Sequence, residues 1–182
     1  MPPNSVFAEE PDAFLLTEFT DLARQCLQQG RPADALMFCN KALSIAPFKA
    51  TLWFDKAQAL GMGGAPQETR LPEVCNCLSL ATQFSTDPYR EAMATRSAAF
   101  ILERCNHWHA AAVKAWQSMP PTLDLQGYST MKEELAQAMD CACKLRPADG
   151  LLQQRKADFS QCAVPMVAAA RAFPPGLGPV VL

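Results

Sequence analysis

Cysteine and histidine are the side chains of this sequence whose types and spacing could support chemistry. Two pairs are separated by a single residue, Cys75 with Cys77 and Cys141 with Cys143, and a third cluster, Cys105-Asn-His-Trp-His109, mixes both residue types. Thiolates and imidazoles bind zinc, and a cysteine next to an imidazole can act as a nucleophile. The residues therefore raise three interpretations, which are a zinc site, a redox or nucleophilic thiol, and structural packing.

Helical spacing favours structural packing for these cysteines. Residues two apart on a helix point about 200° from each other, so neither C-x-C pair can close on one ion while its segment stays helical. Cys26 and Cys39 fall at positions where a small apolar thiol packs well in a helical core, which is consistent with a reducing compartment. We expect His107 and His109 to be solvent-facing residues of a turn at Cys105, with Asn106 as the helix cap.

No catalytic motif accompanies these residues. The sequence has no phosphate-binding glycine loop, no serine-centred elbow and no His-Glu zinc motif, and no third group to orient an imidazole beside Cys105 is identifiable. We therefore expect no enzymatic activity, no bound metal and no cofactor. The redox alternative predicts a reactive thiol of low pKa at Cys105.

The segments that carry these residues repeat along the chain. Matching residues recur at a step of 34 and then at a step of 41, the larger step indicating about seven inserted residues in the stretch 65–71. The first step relates Phe19 to Trp53, Ala23 to Ala57 and Gly30 to Gly64, and the second relates Pro47 to Pro88, Ala57 to Ala98 and Gly64 to Cys105. A period of this length indicates helix–turn–helix units.

The first unit has a large aromatic residue, a small residue, a turn glycine, two further alanines and a closing proline. These are Phe19, Ala23, Gly30, Ala35, Ala42 and Pro47, with Leu22 beside the small residue. The pattern resembles the tetratricopeptide repeat (TPR) family. Later units are degenerate copies of this pattern. The second unit has Val74 in place of the first alanine of its second helix and keeps Ala81, and the third has Ala94 in place of the aromatic residue and keeps Ala98 and Ala110. A last fragment matches the pattern at Leu135, Met139, Ala142, Pro147 and Ala157.

The resemblance implies an all-α solenoid of about three to four antiparallel helix pairs, spanning residues 13–160. Composition agrees, because the chain is 49% hydrophobic and rich in helix formers, without runs of alternating β-branched residues. Residues 1–12 are expected to form an N-terminal arm, and residues 161–182 an apolar helix end followed by a Pro/Gly tail. The stretch 120–128 is a loop or a binding lid, and Thr130 with Glu133 predicts a helix start by a capping box.

Charge and hydropathy exclude some partners. A net charge of −2, with no Lys/Arg cluster interleaved with aromatic residues, argues against nucleic acid. No apolar stretch is long enough to span a bilayer, and the start resembles neither a signal peptide nor a transit peptide. We expect a cytosolic or nuclear protein whose partner is another protein.

A solenoid of this kind exposes the first helix of each pair along its concave side. We predict that this groove binds a peptide segment or helix through polar contacts, with Phe54 as the apolar anchor. The predicted groove residues are Thr20, Arg24, Gln28, Phe54, Asp55, Gln58, Arg96, Arg155 and Asp158. Some TPR proteins grip chaperone carboxyl-terminal tails, but only Arg96 matches that pattern here and Asp55 would repel a carboxylate, so such a tail is not expected as the ligand.

The end of the chain supports an alternative function. Residues Val180, Val181 and Leu182 could add as a strand to a groove of the PDZ type, or pack on the last helix. The apolar part from Leu151 to Leu182 could instead be buried in a permanent interface, which would make the chain a constitutive structural subunit of a larger complex.

Overall fold

The fold is all-helical over the residues that the computed structural model describes, which are 11–62, 70–118 and 125–161. Seven helices and no strand occur in these ranges, which confirms the all-α prediction. They are α1 (Pro11–Gln28), α2 (Pro32–Ile45), α3 (Ala50–Met62), α4 (Leu71–Gln83), α5 (Asp87–Gln117), α6 (Leu125–Leu145) and α7 (Gly150–Gln161). The predictions for Gly64, for most of the insertion after it and for the segment 162–182 lie outside the described residues.

The turn between α1 and α2 forms where the sequence predicts it. Gly30 has a φ of +68°, a left-handed conformation that costs a residue with a Cβ about 1–2 kcal/mol. The amide of Gly30 donates to the carbonyl of Leu27 at 3.1 Å and the amide of Arg31 to that of Cys26 at 2.9 Å, the pattern of a Schellman cap. Pro32 then occupies the first position of α2, where its fixed φ suits the helix and no amide is needed.

The even-numbered helices α2, α4 and α6 bury residues at the same spacing. In each, three apolar side chains separated by four and then three residues are almost fully inaccessible to solvent. They are Ala35, Cys39 and Ala42 on α2, Val74, Leu78 and Ala81 on α4, and Leu135, Met139 and Ala142 on α6. Residues at this spacing share one face of a helix, so each of these helices presents one closely packed apolar stripe to its neighbours.

Each helix contacts the next one along the chain, and α1 also contacts α3 while α4 contacts α6. The main core runs from Phe54 on α3 to Phe159 on α7, and a smaller cluster of Cys26, Ala35 and Ala59 joins α1, α2 and α3. Ala23 and Ala57, which the 34-residue step relates, are both fully buried, so other helices can approach closely at these small side chains. Gly61 allows α5 to approach α3, since a Cβ at this position would lie 2.9 Å from Cζ of Phe100.

The third unit differs from its prediction. Helix α5 runs without interruption through Cys105, so the expected turn there and the cap at Asn106 are wrong. No glycine or proline occurs between Tyr89 and Gln117, and a turn like the first one would place a Cβ in the left-handed region that Gly30 occupies at low cost. The second helix of this unit is therefore α6.

Helix α6 also begins earlier than predicted, at Leu125, so Thr130 and Glu133 lie inside the helix and do not cap it. Tyr128 explains the extension, because its side chain is buried and its ring packs against Trp116 with centroids 5.7 Å apart. Packing therefore outweighs the local capping signal. Residues 120–124 of the predicted loop or lid lie outside the described ranges.

Candidate binding groove

A pocket of about 360 Å³ opens between the odd-numbered helices α1, α3 and α5. Arg24, Leu27 and Gln28 line it from α1, Asp55, Gln58 and Met62 from α3, and Arg96 from α5. Five of these seven residues belong to the groove predicted from sequence, namely Arg24, Gln28, Asp55, Gln58 and Arg96. We refer to the seven lining residues as the α1/α3/α5 pocket.

An ion pair joins two walls of this pocket. Nε of Arg24 donates to Oδ2 of Asp55 at 3.2 Å, and the carboxylate is buried while the guanidinium is half-exposed. Burial raises the pKa of Asp55 above its ordinary value of 3.8, and the charges of Arg24 and Arg96 partly oppose that rise. The neighbouring arginines therefore favour the charged form of this carboxylate, and burial favours the protonated form.

The guanidinium of Arg96 lies over the aromatic ring of Phe54. Its guanidinium carbon is 4.1 Å from the centroid of the Phe54 ring, and Phe54 in turn packs against Phe100 with centroids 6.0 Å apart. The side chain of Phe54 is only 3% exposed, which corrects the prediction that it serves as an exposed apolar anchor. Phe54 instead contacts the guanidinium of Arg96 through a cation–π interaction.

Three other predicted groove residues do not line the pocket. Thr20 is buried, and its hydroxyl donates to the carbonyl of Leu16 at 2.6 Å, so it is satisfied within α1 and corrects the prediction of an exposed contact. Arg155 and Asp158 lie on α7, where they form an exposed ion pair with each other at 3.6 Å. The sequence placed them in the groove by extending the repeat register to a helix that does not reach this pocket.

Two apolar residues of the pocket were missed by the sequence analysis. Leu27 follows Arg24 by three residues on α1, and Met62 follows Gln58 by four on α3, so each shares a helical face with a predicted groove residue. Both residues could therefore have been predicted from their helical spacing to Arg24 and Gln58. Met62 is 43% exposed, which makes it available to an apolar side chain of a ligand.

The cysteines divide into two groups. All seven in the described ranges are free: five of them are buried, and two, Cys75 and Cys141, are partly accessible to solvent. Burial raises the pKa of Cys39 and of Cys105 to about 12, so Cys105 lacks both the access and the low pKa that the nucleophile alternative requires. Within the described residues, no group of three or more possible metal ligands lies together.

The histidines are helical residues of α5 and do not lie in a turn, which corrects that prediction. His107 is exposed. His109 is half-buried, its ring packs edge-on against Phe159 with centroids 5.4 Å apart, and burial lowers its pKa. The second histidine therefore helps to join α5 to α7.

Comparison with known proteins adds no assignment: no family model matches the chain, and neither the curated proteins nor the solved structures include a significant match. The resemblance to TPR proteins therefore depends on the residues named above. No helix in the described part of the chain combines the length and the apolar character needed to cross a membrane. The predicted tail contacts at Val180, Val181 and Leu182 fall outside the described residues.

Proposed function

We propose that this chain is a non-catalytic adaptor or assembly factor of the TPR type, which binds a peptide segment or helix of another protein in a concave groove. The observation that carries the proposal is the α1/α3/α5 pocket, to which three alternate helices contribute side chains. Alternate helices that line one wall are the binding arrangement of helix-pair solenoids.

The repeated burial pattern supports this architecture. The stripes on α2, α4 and α6 have one spacing, and α1, α3 and α5 share another, with a buried alanine followed three residues later by a second buried apolar residue. The latter pairs are Ala23 with Cys26, Ala57 with Leu60, and Ala98 with Ile101. Equivalent helices in successive units would then present equivalent outer faces to a ligand.

The lining residues favour a ligand that combines a carboxylate with an apolar side chain. Asp55 is already paired with Arg24, whereas among the described residues no carboxylate lies within ion-pair distance of Arg96. Leu27 and Met62 offer an apolar wall next to it. A guanidinium already in contact with the Phe54 ring loses little conformational freedom when it binds a carboxylate, which favours affinity.

The amides of Gln28 and Gln58 complete the recognition chemistry. Each carries two N–H donors and one carbonyl acceptor, which suit the backbone of an extended segment or the last turn of a helix. The ligand need not be a free carboxyl terminus, and the tail of a chaperone is not the expected partner. The expected ligand is an internal segment with one acidic residue near an apolar one.

Site-specific photo-crosslinking tests this proposal. A benzoylphenylalanine introduced at Gln58 reports on the pocket, and the same residue at Gln137, an exposed position of α6, is the matched control. In cells that produce the chain, we expect the Gln58 probe to crosslink one defined protein and to lose that product when Arg96→Glu is added. Equal crosslinking from both probes, or a product insensitive to Arg96→Glu, would overturn the proposal.

Size-exclusion chromatography separates this proposal from the alternative of a permanent structural subunit. An adaptor should elute as a monomer when isolated, because its groove is small and five of the seven residues that line it are polar or charged. A subunit with a large apolar interface should aggregate without its neighbour. Helix α7 already packs on its own chain through Leu152 and Phe159.

A further inference from the structure

Two cysteines stand apart from the others in their access to solvent. Of the seven in the described ranges, only Cys75 and Cys141 are partly accessible, and they lie on helices α4 and α6, which contact each other. Their C-x-C neighbours Cys77 and Cys143 are buried, because residues two apart point in different directions on a helix. The first members of the two motifs therefore meet at the surface between α4 and α6.

The contact between these two residues is direct. The thiol of Cys141 donates to the backbone oxygen of Cys75 at 3.8 Å. Ser79, one turn after Cys75, places its hydroxyl 3.6 Å from Sγ of Cys141 and 2.9 Å from the carbonyl of Cys75. The serine hydroxyl can therefore donate to the carbonyl while Cys141 is a thiol and to the sulfur when Cys141 is a thiolate.

The surroundings make Cys141 the more acidic partner. The hydrogen bond from Cys75 lowers the pKa of Cys141, and the Ser79 hydroxyl and the positive charge of Lys144 act in the same direction, against burial. The same hydrogen bond and burial raise the pKa of Cys75, and Cys105 lies near enough to add to that rise. Cys141 is therefore the member that is favoured as a thiolate, and Cys75 remains a thiol that can react with an oxidised Cys141.

We propose that Cys75 and Cys141 form a peroxide-sensitive modification site, at which oxidation joins α4 to α6 by a disulfide. The thiolate of Cys141 attacks one oxygen of hydrogen peroxide and breaks the O–O bond, which gives a sulfenic acid and, after protonation of the leaving hydroxide, water. The sulfur of Cys75 then attacks the sulfenic sulfur, its proton leaves with the hydroxyl as a second water, and an S–S bond forms. Two thiols are oxidised and one peroxide is reduced to two waters.

The test treats the reduced full-length protein with hydrogen peroxide and maps its cysteines by differential alkylation and mass spectrometry. We expect Cys75 and Cys141 to lose alkylation together and to appear in one disulfide-linked peptide pair, while Cys26 and Cys39 in the same molecule stay reduced. The mapping assigns each cysteine separately, so oxidation of Cys162, the eighth cysteine of the sequence, is distinguished from oxidation of Cys75 and Cys141. Retention of both thiols in folded protein, or oxidation of the buried cysteines at the same rate, would overturn the proposal.

Single variants assign the two roles. In Cys75→Ser, the sulfenic acid on Cys141 should persist and be trapped by dimedone, and in Cys141→Ser, Cys75 should stay reduced under the same treatment. Ser79→Ala should slow the first oxidation without preventing the disulfide. Circular dichroism tests whether each variant is folded. If a variant does not fold, the peroxide mapping of the wild-type protein alone decides the proposal. Rapid oxidation of Cys75 in folded Cys141→Ser would contradict the assignment of Cys141 as the attacking thiol.

Discussion

The guanidinium of Arg24 on α1 donates to the buried carboxylate of Asp55 on α3 across 3.2 Å. The pair joins α1 to α3, and both residues line the pocket between α1, α3 and α5. A charged group as buried as Asp55 destabilises a fold unless it is paired and hydrogen-bonded. Burial of the Asp55 carboxylate therefore has a cost in stability, and the ion pair gives the pocket a polar wall that a ligand can contact.

The first prediction concerns the pH dependence of stability in Asp55→Asn. Burial raises the pKa of Asp55 above 3.8, so the folded state holds this proton more tightly than the unfolded chain does. The contribution of Asp55 to stability is then greatest below pH 3.8 and falls as the pH rises through the raised folded-state pKa. Since asparagine does not titrate, the variant should gain stability relative to the wild type across that interval.

Urea unfolding of both proteins at a series of pH values measures this effect. The difference in unfolding free energy between the variant and the wild type should change with pH in the acid range and become constant above it. A difference that is the same at every pH would show that Asp55 titrates normally in the folded state.

The second prediction concerns packing at Ala23. This residue is fully buried between helices, so Ala23→Leu should overpack the contact and lower the unfolding free energy by about 1–3 kcal/mol. Ala110→Leu is the matched control, because Ala110 is exposed on α5, and it should change stability by less than about 0.5 kcal/mol. Thermal melting of both variants is sufficient, and equal melting temperatures would show that Ala23 is not at a close helix contact.

The third prediction compares two glycines with different backbone conformations. A Cβ at Gly30 or at Gly150 would meet no atom within 4 Å, but only Gly30 has a positive φ. Gly30→Ala should therefore cost about 1–2 kcal/mol of stability from backbone strain alone. Gly150→Ala should leave stability unchanged or raise it by up to about 1 kcal/mol. Chemical denaturation of the two variants would contradict this account of the turn if both lost stability equally.

Local signals in the sequence were sufficient for the first unit. Gly30 and Pro32 specify a turn by their own backbone chemistry, and the buried stripe of α2 follows from helical spacing. These features depend on residues close in the chain, so they can be read without knowing the fold. The same reasoning predicts most of the pocket, because Arg24 and Gln58 are one step of 34 residues apart and Asp55 and Arg96 one step of 41.

The errors arise where distant contacts decide the result. Phe54 is apolar and one step from Thr20 in the repeat, but whether it faces solvent depends on Phe100 and Arg96 of α5. The error at Cys105 has a local cause instead, because α5 contains no glycine or proline between Tyr89 and Gln117 to form the predicted turn. The pairing of Cys75 with Cys141 spans 66 residues, and no local pattern encodes it.

The central claim is that the α1/α3/α5 pocket binds a partner segment through Arg96. The most direct measurement is calorimetric titration of the segment identified by crosslinking, as a synthetic peptide, into the wild type, Arg96→Gln and Arg155→Gln. The two variants remove the same charge, one from the pocket and one from the exposed face of α7. We predict that Arg96→Gln weakens binding about tenfold, equivalent to about 1.4 kcal/mol, and that Arg155→Gln binds as the wild type does. Equal affinities for all three proteins would contradict the claim.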